Sequence, residues 1–179
     1  MRAALGSVLL LACRPAQKVP TTASESLDSG LRTPGELVTA EGWVSTVALD
    51  PWPEHRTAEH SCDEQGILVE DGLLEVRTGD CGYAVLSQPS LRTVRRSDTI
   101  ELLLYHSALT AAEAAEAHVA IQLGDDLVWE TTLPIPSPSL VHDVAVPAPA
   151  DASIGTMMVL HLHNHGSNAW NLAHLRVRH

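Results

Sequence analysis

His161, His163 and His165 stand at alternate positions in the stretch HLHNHG, near the C-terminal end of a 179-residue chain. Neutral imidazole nitrogens ligate zinc, copper, nickel and iron, so the chemistry this spacing suggests is metal coordination. In an extended strand alternate side chains share a face. Val159, His161, His163 and His165 therefore form one face, and Met158, Leu160 and Leu162 the other. The aliphatic face should enter a core, leaving the histidines outward or in a concavity if the sheet curves. Three imidazoles on such a strand span about 13 to 14 Å at ~3.4 Å per residue, too far for one ion to take all three without a bend. Two of them with a residue from a neighbouring strand would suffice. His106, ending IELLLYH, His118, opening HVAIQL, and His174 supply that residue. The candidate ligands are thus His161, His163, His165, His106 and His118, and the candidate cofactor is a transition metal.

Nothing comparable points to catalysis. The chain has no Gly-x-Ser-x-Gly and no phosphate-cradling glycine loop. His142 and Asp143 are adjacent, and on a strand they would face opposite ways. Twenty-two acidic against eleven basic residues, a net charge of -11, disfavour nucleic acid and anionic membrane surfaces as partners.

The elements that must position these residues read as strands. Phe is absent, so the core must come mainly from Leu, Val, Ile and Ala, and eleven Pro and eleven Gly punctuate short apolar runs. Strands are expected over 37–49 (broken at Gly42), 66–70, 73–78, 83–87, 99–106, 118–123, 127–133, 141–146, 156–164 and 170–178. Asp71-Gly72 marks one tight hairpin and Gly124 to Asp126 another. Thr110 and Glu113 have capping-box spacing before alanines, which predicts a short helix in LTAAEAAEAH. The fold class is all-β, an antiparallel, jelly-roll-like β-sandwich over 36–179 with one short helix.

Three cysteines remain to be placed. Cys62 and Cys81 flank the Asp71-Gly72 hairpin, and in an exported protein they would form a disulfide. Cys13 follows a charged Arg2 and the apolar run 3–12, which is too short to span a bilayer and fits a signal peptide. Leu10, Leu11, Ala12 and Cys13 resemble the bacterial lipobox. That resemblance implies removal of residues 1–12, lipidation of Cys13, and a membrane held through acyl chains, each buried methylene adding roughly 0.8 kcal/mol. Arg14, where the familiar sorting rule would want Asp for inner-membrane retention, implies the outer membrane of a two-membrane bacterium. Residues 13–35 are rich in Pro, Ser, Thr and Gly without apolar periodicity, as a tether would be.

The histidine strand also resembles two metal-binding families. HLHNHG is similar to the His-x-His-x-x-Gly of copper/zinc superoxide dismutases on His161, His163 and Gly166. That family requires further downstream ligands, and only His174 and His179 follow. The first cupin motif needs a Glu three or four residues after its second His, where Gly166 and Ser167 stand. The closing segment NHGSNAWNLAHLRV resembles the last turn and strand of galactose-binding-like and carbohydrate-module jelly rolls. In that resemblance Asn168 and Asn171 stabilise the turn, Trp170 caps the core, and Leu175 and Val177 point inward. It implies non-catalytic binding of a cell-surface ligand, carbohydrate first. A metal site on His161 and His163 is the alternative, and a structural or protein-interaction role in the envelope the third.

Overall fold

Period-two alternation builds two sheets and leaves a third region irregular. The computed structural model describes residues 34–56, 62, 65–79 and 81–179. The expected signal peptide, Cys13 and the tether up to residue 33 lie outside the described residues. The strands are β1 (Gly35–Glu36), β2 (Val44–Ser45), β3 (Ile67–Glu70), β4 (Leu73–Arg77), β5 (Tyr83–Pro89), β6 (Thr99–His106), β7 (Ala115–Leu123), β8 (Asp126–Ile135), β9 (Leu140–Pro147), β10 (Met157–Asn164) and β11 (Ala169–Arg178). One sheet runs β3-β4-β11-β6-β9 with β1 also on β11; the other runs β2-β5-β10-β7-β8. Every pairing between named strands is antiparallel.

The core lies between the sheets. Leu86, Val119, Ile121, Met158, Leu160 and Leu162 face Leu74, Ile100, Leu102, Leu104, Leu172 and Leu175 across it. Each fully enclosed aliphatic side chain contributes about 1.5 to 3 kcal/mol. Asp71 and Gly72 adopt φ of 52° and 77°, as the expected tight hairpin requires, and Gly124 turns the second with φ 61°. Cys62 and Cys81 form a disulfide.

In β11 the inward residues are Trp170 and Leu172, then Leu175 and Val177. Even and odd positions can share one face only if a residue is inserted between them. The pairing of β11 with β6 shifts between Leu172 and His174, a bulge that supplies the insertion at Ala173. Trp170 caps the core as expected, with its Nε1–H donating to Asn164 Oδ1 at 3.1 Å. The turn before it is held by Asn164 and Asn168. Asn171, expected to share that task, instead lies within β11 opposite Glu75 and Tyr105.

Two further expectations need correction. The segment from Thr110 forms no helix: 111–114 is irregular and β7 begins at Ala115. The Thr110 N–H donates to Asn168 Oδ1 (2.7 Å), and its carbonyl accepts from Asn168 Nδ2 (3.3 Å). Both backbone groups that a helix start would use are thus taken by a distant side chain, while Ala117, Val119, Ile121 and Leu123 alternate into the core. The second correction concerns 37–49, where only Val44–Ser45 forms a strand. Three-residue 3₁₀ turns at Ala40–Gly42, Val47–Leu49 and Pro53–His55 lie in that region and its extension. Prolines 51 and 53 lack the N–H a ladder needs. Among the described residues no helix is long and apolar enough to cross a membrane.

Candidate metal centre

The irregular stretch from Thr46 to Arg56 lies against the histidine face of the five-stranded sheet. The Thr46 N–H donates to the Val85 carbonyl at 2.8 Å, and Val47 packs on Tyr83, Val85 and Val159. This strap buries what the strand pattern would leave open, and His161 is fully enclosed.

Three histidines converge beneath it. One ligating nitrogen each from His55, His118 and His161 lies within 4.8 Å of the other two. His161 comes from the middle of β10, His118 from β7 beside it, and His55 from the last 3₁₀ turn of the strap. His55 Nδ1 and His161 Nε2 are 3.1 Å apart. The site is thus a three-imidazole cluster able to coordinate a metal ion.

Outer partners fix which nitrogen of two of the rings is available. His161 Nδ1 is 3.1 Å from Asp50 Oδ1, and neither side chain reaches solvent. A carboxylate only accepts, so this nitrogen carries the proton and Nε2 keeps the lone pair. His118 Nε2 donates in the same way to Glu130 Oε2 at 3.1 Å. Its other nitrogen, Nδ1, is buried without a hydrogen-bond partner. A carboxylate on the far nitrogen of a ligating imidazole is the usual outer shell of a histidine metal site. Here two of the three rings have one.

Asp50 is itself organised. Its Oδ1 accepts the Trp52 N–H (3.0 Å), and its Oδ2 accepts Arg56 Nε (3.0 Å) and the Tyr83 hydroxyl. Burial alone would raise its pKa, but these hydrogen bonds from Tyr83, Trp52 and Arg56 hold it below the ordinary carboxylate value. Burial and Asp50 push the Tyr83 hydroxyl up to about 12, so it remains a donor. Burial pushes His161 down to about 4 against the pull of Asp50, and burial with His165, His55 and His118 does the same to His163. Both rings are neutral at neutral pH, the form that binds metal.

Beside the cluster opens a cleft of about 730 Å³, lined in part by His55, His118, His163, His165, Glu113 and Glu116. His163 does not join the trio; its ring stacks on His55 with centroids 4.8 Å apart. His165 is exposed and packs against His163. His106, expected among the ligands, sits in the other sheet, buried against Trp170 and His142 with Nδ1 on the Ser107 carbonyl. His174 also belongs to that sheet. Sequence reasoning missed His55 and Asp50, which are 106 and 111 residues from His161.

No protein-family profile and no curated protein matches the chain. Solved structures do. One described as "CBM4 structure and function" is 14% identical over 78% of this chain and 92% of its own, with a TM-score of 0.42. The CBM22-1 xylan-binding domain of Paenibacillus barcinonensis Xyn10C is 11% identical over 80% and 96%, at 0.37. TmCBM61, solved with β-1,4-galactotriose, is 5% identical over 65% and 85%, at 0.40. The likeness is one of fold.

Proposed function

We propose that this β-sandwich is a non-catalytic binding domain that holds a divalent transition metal between its five-stranded sheet, through His118 and His161, and the strap, through His55. The observation that carries the reading is the convergence of three imidazoles with Asp50 and Glu130 on the far nitrogens of two. Tetrahedral zinc with Zn–N bonds of 2.0 to 2.1 Å sets its nitrogens about 3.3 Å apart. The His55–His161 pair is already at 3.1 Å. Closing the site therefore requires little more than drawing in the third ring.

Cobalt(II) titration tests this, because a tetrahedral imidazole site gives intense visible bands. One equivalent should bind, and His118→Gln, altering a ring at the cleft wall, should weaken binding at least tenfold. Absence of stoichiometric cobalt, zinc or copper binding overturns the reading.

A carbohydrate ligand is the second reading, supported by the cleft itself. Its volume lies in the range of small-molecule sites, and Glu113, Glu116 and Thr132 offer hydrogen-bonding groups on its wall. No hit on a glycan array removes it. Display at the cell envelope through a lipidated Cys13 belongs to the same proposal, supported by the lipobox-like Leu10 to Cys13. Unchanged membrane fractionation of Cys13→Ser would overturn the anchor.

A further inference from the structure

The trio is roofed by the strap, yet the imidazoles do not stop at the trio. His163 is the direct cross-strand partner of His118 in the β10–β7 ladder, and its ring stacks on His55 at an interplanar angle of 23°. It therefore neighbours two of the three candidate ligands at once, since directly opposite residues have Cβ atoms roughly 4.5 to 5.5 Å apart. His165 packs on His163 with centroids 4.7 Å apart and stands at the exposed end of the row. Both rings line the cleft, and neither makes a hydrogen bond to another described residue. The result is a continuous file of imidazoles from solvent to the enclosed His161.

Resting on the metal-binding reading, we propose that His163 and His165 are the loading path of the centre, so that the domain takes up and releases its ion by stepwise ligand exchange. A sequestering site has no use for imidazoles outside its ligand set that have no hydrogen-bond partner among the described residues. An exchanging site does, because each step replaces one donor on the ion by another and the ion is never stripped bare. His165 and His163 first displace two waters or chelator donors. His55, His118 and His161 then displace those two imidazoles and one further water in turn, and the proton on His55 Nδ1 is exchanged through solvent for one on Nε2. Apart from that proton only coordination bonds change, and nothing is oxidised or reduced.

Stopped-flow absorbance with cobalt(II) reads loading, and mixing the loaded protein with EDTA reads release. His163→Gln/His165→Gln should slow both at least tenfold while leaving Kd within threefold of the parent. His165→Gln alone, a change at an exposed ring that leaves the fold undisturbed, should slow both at least threefold. Unchanged rates in either variant overturn the loading path and leave the metal reading standing. A Kd weakened a hundredfold in the double variant also overturns it, because the two rings would then be ligands. A parent protein that binds no cobalt overturns the metal reading, and the path with it.

Discussion

Asp50 and His161, 111 residues apart, meet at 3.1 Å with both side chains shut away from water. The carboxylate sets the tautomer of the ring, and Tyr83, Trp52 and Arg56 set the carboxylate. Asp50→Asn keeps the shape and removes the charge, and its amide nitrogen can turn a donor toward Nδ1. Cobalt affinity should fall between tenfold and a hundredfold, the usual cost of losing an outer-shell partner. Competitive titration against a chelator of known affinity measures it, and an unchanged Kd would show that Asp50 does not orient the ring.

Glu130 should matter less than Asp50, since its side chain is 47% exposed where that of Asp50 is enclosed. Glu130→Gln should weaken cobalt binding by less than Asp50→Asn does. The reverse order in the same titration would mean that His118 rather than His161 anchors the site.

Gly166 has φ of 90°, and a Cβ there would collide with the Thr110 carbonyl oxygen and the Ala111 Cα. Gly166→Ala combines the left-handed penalty, about 1 to 2 kcal/mol, with backbone displacement. Urea denaturation should show a loss of at least 2 kcal/mol. A loss below 0.5 kcal/mol would mean that the segment at Thr110 yields freely.

Cys62 and Cys81 are 19 residues apart in sequence. Cross-linking a loop of that size constrains the unfolded chain by roughly 3 kcal/mol. The Cys62→Ser/Cys81→Ser protein should unfold at lower urea by about that amount. Equal midpoints for the oxidised and double-serine proteins would contradict it.

Burial, and then the neighbouring His106, lower the pKa of His142. Trp129 packs on it from the opposite sheet. With a folded pKa below the unfolded 6.5, the unfolded chain binds the extra proton first as pH falls. The stability His142 contributes is full above about pH 6.5 and is lost as pH drops towards its folded value. His142→Gln should flatten that part of the stability profile, measured by urea unfolding between pH 7 and 5. A parallel profile would assign the slope to other groups.

The sheets were readable because alternation and turn residues act locally: Asp71-Gly72 forces its hairpin whatever surrounds it, and Met158, Leu160 and Leu162 have one face to bury. The helix expected at Thr110 failed because Asn168, 58 residues away, takes the backbone groups a cap would use. Half of the site was legible for the same reason as the strands. His118 and His161 lie on regular β7 and β10, where face and spacing follow from position. His55 and Asp50 lie in a 3₁₀ turn and a loop on either side of Pro51 and Pro53, where no period says which way a side chain points. The nearest signal was the density of polar and aromatic groups in DPWPEHR, which marks a built segment without saying what it covers.

Because Asp50 and His55 belong to the strap and His161 to the sheet, whatever ties the three together also fastens the strap down. Ligand binding and local closure are then one equilibrium, linked by mass action. Susceptibility of the Trp52 to Arg56 backbone to a protease becomes a gauge of occupancy, legible on a gel without any spectroscopic handle on the ion.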